Sequence, residues 1–346
     1  MSKFHELLTY VAIVGAACVL CQTSVNAQES STLSDVVAAE EAPQSAMNVG
    51  TNGHYVHILP TVQGAAALQG NQDTGPLLYH SGGAVMNPSV AVYPIFWVPA
   101  KLQNGGATGM SSHYQGVQIN MLGDYAGHGI GNINTQYYQQ SGGVTTYIQN
   151  KGGLGAAYLD TSPYPASGCH DSATPGNCLT DLQLQAEVKK VMAFAKLTGG
   201  LNKIFMVYTS FGEGSCFDSS NQSCAYTQYC AYHSYFNVGT VPVVYANEPY
   251  GNSSVCQVSG APSPNSDAVA DAAATSASHE LSEAITDPKL NAWFSAQGSE
   301  NGDLCAYTYG SLSWAGGRAN QMWNGHFYLL QREFSNHTNS CLQVGP

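Results

Sequence analysis

Apolar positions follow a helical period of three to four at three places in the chain. From Leu184 the residues Val188, Val191, Met192 and Ala195 recur at that spacing, behind Thr180-Asp181-Leu182-Gln183, a capping-box pattern. Gly199-Gly200 ends this helix. Ser111 to Tyr125 predicts a second helix, with Val117, Met121 and Leu122 on one side and Ser111 or Ser112 as cap. The third opens at Ser266 or Asp267, has an Ala-rich body and runs into Ser278-His279-Glu280-Leu281-Ser282-Glu283 before a turn at Asp287-Pro288. Four runs rich in β-branched and aromatic residues predict strands: Ser89–Val98, Lys203–Ser210, Cys230–Phe236 and Val241–Ala246. Pro94, inside the first, demands an edge or a bulge, because proline has no N–H for a ladder. Gln321–Trp323 and His326–Phe334 read as closing hairpin strands. This order predicts a single α/β (α+β) domain with a mixed sheet, a site helix beneath it and an irregular C-terminal part.

The amino terminus departs from that pattern. Lys3 followed by the apolar run Leu7–Leu20 and by Val25-Asn26-Ala27 reads as a secretory signal over residues 1–27, cleaved after Ala27. Cys18 after Gly15-Ala16-Ala17 offers a lipoprotein alternative. The run is short for a transmembrane span, and no later stretch is long and apolar enough to be one. Residues 28–75, rich in Ala, Ser, Gln, Asn and Gly, read as a flexible low-complexity segment or propeptide, with His54 and His57 incidental to it. The globular domain is expected over residues 76–346.

A leader of this kind places Cys18 and Cys21 outside the mature chain, and eight of the ten cysteines remain. An even number in an exported chain predicts disulfides. Proximity favours Cys169–Cys178, Cys305–Cys341 and two bridges among Cys216, Cys224, Cys230 and Cys256; the pairing of those four stays open. The net charge of −12 argues against nucleic acid or an anionic membrane as partner.

His279 and Glu283, four apart, share one helix face, with Glu280 beside them. His-Glu-x-x-Glu is similar to the His-Glu-x-x-His helix of zinc peptidases, whose first and fifth residues bind zinc and whose second activates water. His279 and Glu283 would then be zinc ligands and Glu280 the general base. Glu300, Asp303 and His233 are candidates for the third ligand, and His233 is alternatively a proton shuttle. The expected activity is that of a secreted metal-dependent, peptidase-like hydrolase acting on a peptide or a cell-wall polymer. The competing expectation is a non-catalytic extracellular protein in which the same side chains form a buried polar network. No Gly-x-Ser-x-Gly elbow or phosphate-binding Gly-x-x-x-x-Gly-Lys loop is present.

Several short pieces, in order, resemble the Exordium, or phosphate-induced protein, family. They are Tyr79-His80-Ser81-Gly82-Gly83-Ala84-Val85-Met86, Leu179-Thr180-Asp181, Val207-Tyr208-Thr209-Ser210, Cys230-x-x-His233, Ser278-His279-Glu280-Leu281-Ser282-Glu283-Ala284, Thr286-Asp287-Pro288, Asn291-Ala292-Trp293 and Gly302-Asp303-Leu304-Cys305. The resemblance spans roughly residues 77 to 341 and makes His279, Glu283 and Asp303 motif positions. It implies a secreted protein of the extracellular space or cell wall, and it carries no settled catalytic activity. The Cys216–Cys256 region and the Gln/Asn-rich amino terminus depart from the plant pattern.

Overall fold

A computed structural model describes residues 48–51, 54–69, 73–252 and 254–345. The expected leader and residues 28–47 lie outside these. The central sheet has eight strands. They are β1 (Asn48–Thr51), β2 (His54–Pro60), β3 (Val90–Trp97), β4 (Gly152–Leu154), β5 (Tyr158–Asp160), β6 (Lys203–Thr209), β7 (Tyr229–Val238) and β8 (Val241–Glu248). Their order is β1-β2-β7-β8-β6-β3-β4, with β5 also pairing β3. The β1/β2, β2/β7 and β7/β8 pairs are antiparallel. The β8/β6, β6/β3, β3/β4 and β3/β5 pairs are parallel, so the sheet is mixed as expected.

Strand alternation sorts the core into two layers. Phe205 and Val207 of β6, Val243 and Tyr245 of β8, and Val56 and Ile58 of β2 face the helix Asp181–Ala195, where Leu184, Val188, Val191 and Met192 meet them. Ile204, Met206 and Tyr208 of β6 and Val244 and Ala246 of β8 face the helices Ser112–Asp124 and Ala268–Thr286. In chain order these helices, with the short one at Val62–Gln69, are α1 (Val62–Gln69), α2 (Ser112–Asp124), α3 (Asp181–Ala195) and α4 (Ala268–Thr286). Caps fall where the sequence puts them. Ser111 Oγ accepts from Tyr114 N at 3.0 Å, Gln183 Oε1 from Thr180 N at 2.9 Å, and Asp267 Oδ1 from Ala270 N at 3.0 Å.

Two expectations need correction. The domain does not open at residue 76: β1, β2 and α1 belong to it, and β2 pairs with β7 through Leu59↔Ala231, Ile58↔Tyr232 and His57↔His233. Val56, Ile58 and Leu59 are buried, and their apolar alternation supports a strand despite the polar composition on either side. Pro94 marks neither an edge nor a bulge. Its strand lies inside the sheet, but the partners on one side are two short strands, β4 paired to residues 90–92 and β5 to residues 95–97. Pro94 sits at the gap between them, where no ladder on that side asks for an N–H.

Disulfides join Cys169–Cys178, Cys216–Cys224, Cys230–Cys256 and Cys305–Cys341. Two were expected individually, and the other two resolve the open group of four. The C-terminal part forms two small antiparallel hairpins, Gln321–Trp323 with His326–Tyr328 and Glu333–Ser335 with Ser340–Leu342. Among the described residues no helix is long and apolar enough to cross a membrane.

Candidate metal centre

Helix α4 is buried on every side from Ala270 to Thr286. Alanine at positions 270, 272, 273, 274 and 277 keeps its circumference small enough to lie between the sheet and the C-terminal hairpins. One face presents His279, Glu280 and Glu283 to the sheet. The sheet answers with His57 and His233, which are directly opposed on neighbouring strands. His57 lies between Val56 and Ile58 in β2, and His233 follows Tyr232 in β7. Those apolar neighbours face α3, so both histidines face α4.

The turn Glu300–Asp303 closes the third side. Glu300 N donates to Asp303 Oδ2 at 2.7 Å, and Asp303 N donates to Glu283 Oε1 at 3.1 Å. Asn301 Nδ2 holds the turn to Asn134 Oδ1 and Ser282 Oγ, each at 2.9 Å. Cys305, just beyond the turn, is bridged to Cys341. Gly302 permits this approach. Its φ of −72° is open to any residue, but a Cβ there would lie 2.6 Å from His279 Nδ1 and 2.9 Å from Glu283 Oε1.

Every residue singled out in the sequence therefore meets in one place. His279 Nε2 is 3.1 Å from Glu283 Oε1 and 3.7 Å from Asp303 Oδ1. His233 Nδ1 is 3.1 Å from Glu280 Oε2 and 3.6 Å from Glu283 Oε2, while its Nε2 is 3.8 Å from Glu300 Oε2. Sequence reasoning dismissed His57, yet its Nε2 is 2.7 Å from Asp303 Oδ2 and its Nδ1 is 2.8 Å from Asn48 Oδ1. The signal that could have found it is His-Tyr-Val-His-Ile-Leu at residues 54–59, a strand-like alternation inside the segment read as flexible. Gln331, also missed, bonds His279 Nδ1 at 2.8 Å.

Burial governs the electrostatics. It pushes the carboxyls of Glu280, Glu283 and Glu300 well above the usual range, and the neighbouring acids push the same way. Burial also lowers His233 far below an ordinary imidazole, helped by His57 and His279, and it lowers His279. His57 is the exception: burial disfavours its charge, but the adjacent Asp303 carboxylate outweighs that and raises it. Among the described residues the ion pairs of these acids are all with histidines.

Six atoms here have no hydrogen-bond partner although fully buried: His233 Nε2, His279 Nε2, Glu280 Oε1, Glu283 Oε2, Glu300 Oε2 and Asp303 Oδ1. An unmatched buried polar group costs about 1–3 kcal/mol, more when charged. Three overlapping triads have ligand atoms within 4.8 Å of one another: His57–Glu283–Asp303, His233–Glu283–Glu300 and His279–Glu280–Glu283. Imidazole nitrogen with carboxylate oxygen is a donor set that divalent zinc accepts, so the residues fit a cation.

Comparison with protein-family models, with curated proteins and with solved structures finds no match to this chain.

Proposed function

We propose that this is an exported protein built around a buried divalent-cation centre, with zinc the ion favoured by its nitrogen and oxygen donors. The observation that carries the reading is the set of unpartnered histidine and carboxylate atoms converging between α4, the sheet and the Glu300–Asp303 turn. Leaving such atoms unmatched in a dry core would cost several kcal/mol, and a dication offsets both the charge and the missing bonds. Four disulfides and the lack of a membrane-spanning helix among the described residues are compatible with an extracellular location.

Burial favours a structural use of the centre. His57, His233, His279, Glu280, Glu283, Glu300 and Asp303 are at most 3 % exposed, and closed coordination is the mark of structural sites, whereas catalytic sites keep a position open. This agrees with the expectation of a non-catalytic extracellular protein, and the Exordium resemblance, which implies an extracellular or wall location, carries no settled catalytic activity. A second reading, the peptidase-like hydrolase, is favoured by Glu280, which stands beside the His279–Glu283 pair with Oε1 unpartnered, where a general base would stand. A bound cation would supply Lewis acidity and a water of lowered pKa. A peptide or cell-wall polymer would reach it only after the cover formed by β2 or by the Glu300–Asp303 turn moved.

Metal analysis of the full chain, purified without chelators, tests the centre: about one equivalent of divalent metal is expected, and a metal-free protein of unchanged thermal stability would overturn it. Assay of peptides and wall polysaccharides with wild type and Glu280→Gln separates the uses. The structural reading expects no turnover from either, and turnover lost in Glu280→Gln would establish the hydrolase.

A further inference from the structure

The proton arrangement around the three histidines is unequal and picks out which of them can bind a cation. The Gln331 amide is oriented by two backbone groups. Its Nε2 donates to Gly302 O at 3.0 Å, and its Oε1 accepts from Tyr307 N at 3.3 Å. Its remaining N–H therefore meets His279 Nδ1 at 2.8 Å, which makes Nδ1 the acceptor. A neutral His279 then carries its proton on Nε2, the nitrogen that faces Glu283 and Asp303, and that nitrogen has no lone pair to offer. His57 meets an oxygen at each ring nitrogen, Asn48 Oδ1 and Asp303 Oδ2, so both are used as donors.

His233 is arranged the other way. Its Nδ1 is 3.1 Å from Glu280 Oε2, and with Glu280 ionised opposite a bound cation that oxygen accepts, which makes Nδ1 the donor and leaves the Nε2 lone pair free. That Nε2 is buried, unpartnered and 3.8 Å from the unpartnered Glu300 Oε2. A ring nitrogen held by a carboxylate, with its other nitrogen free, is the usual support of a metal-binding histidine. The unpartnered Glu283 Oε2 completes a triad with these two residues.

We infer that the cation is bound by His233, Glu283 and Glu300, with Glu280 as the positioning residue that fixes the His233 tautomer, and that His279 is a proton-bearing neighbour rather than a ligand. The inference rests on the cation-centre reading and reverses the roles that the His-Glu-x-x-Glu spacing assigns to His279 and Glu280.

Zinc affinity of the full chain, measured by competition with a chromophoric chelator, tests it in four variants. Glu300→Gln and His233→Gln are expected to lose at least 100-fold in affinity. Glu280→Gln is expected to lose 10–100-fold, the range for a residue that orients a ligand. His279→Gln is expected to stay within about fivefold of wild type. Loss of binding in His279→Gln with retention in Glu300→Gln would overturn the ligand assignment while leaving the centre intact; no zinc binding by wild type would remove the centre itself. Nitrogen-15 spectra of the histidine rings in the wild type give a readout independent of variant folding. Zinc should shift one ring through Nε2, that of His233, and a shift of the His279 Nε2 resonance instead would refute the assignment.

Discussion

Gly302 carries the sharpest expectation for a single side chain. With φ at −72° an alanine there meets no backbone strain. What it meets is the His279 ring at 2.6 Å and Glu283 Oε1 at 2.9 Å. Gly302→Ala should therefore destabilise the protein by about 1–3 kcal/mol, the cost of overpacking a filled core. Denaturant unfolding checks this, and an effect below about 0.5 kcal/mol would mean that the turn relaxes freely. His57 gives a larger one. It is the closest cationic partner of Asp303, at 2.7 Å, and both are buried. His57→Ala leaves a buried carboxylate without its partner, and roughly 3–5 kcal/mol should be lost. A substitution at an incidental loop histidine would cost almost nothing, so the same unfolding measurement separates the two views.

The edge of the sheet next to β7 is where β2 matters most. Its Val56, Ile58 and Leu59 are buried, and each such side chain is worth about 1.5–3 kcal/mol. Their sum is comparable to the whole stability of an ordinary domain, about 5–15 kcal/mol. A chain begun at residue 76, where composition places the domain boundary, would lose β1, β2, α1 and His57 together. It should have weak near-ultraviolet dichroism and be cut rapidly by protease, whereas a well-ordered product would show that β2 is dispensable. Strand alternation explains why β2 is hard to see in the sequence: Val56 and Ile58 face α3, Leu59 lies on the opposite face beside His57, and His57 finds its partners only through the fold. Helix α4 is legible in the sequence because its signal is local. An Asp cap, an alanine-rich body and a proline after its end all lie within one stretch of chain.

For the molecule as a whole, the buried acids set the response to pH. Burial raises Glu213 to about 8, and both of its carboxylate oxygens are unpartnered; Glu187 is raised to about 7, by burial and by Asp160. The centre's glutamates are raised as well. In each case the folded state keeps a proton that the unfolded chain releases above its ordinary pKa. Stability must then fall as pH rises. The lowered His233 and His279 act in the opposite sense only below about 6.5, where the unfolded chain takes up their protons. From pH 6.5 to 8 the metal-free protein should therefore lose stability, with Glu213 alone contributing up to about 1.4 kcal/mol per pH unit. Thermal unfolding should show the slope reduced in Glu213→Gln. Zinc should stabilise more at pH 8 than at 6.5, because cation binding requires the ligands deprotonated; equal stabilisation at the two pH values would count against carboxylate ligation.

Patterns within a few residues are enough to specify the elements whose signals are local: the capped helices, the four long β-branched and aromatic strands, the near-neighbour disulfides and the placing of His279, Glu280 and Glu283 on one helix face. The sequence also places Glu300, Asp303 and His233 as candidates, since acids and a histidine in a charge-poor chain are conspicuous. That β2 joins the sheet and sets His57 directly opposite His233, and that Gly302 admits the turn against His279, emerge from packing between distant segments. The structure likewise decided that Gln331, from a distant hairpin connection, fixes which nitrogen of His279 holds the proton. A helix face depends on spacing within a few residues. The protonation and partners of a buried ring depend on what four separate stretches of chain bring to it, and no local pattern encodes that.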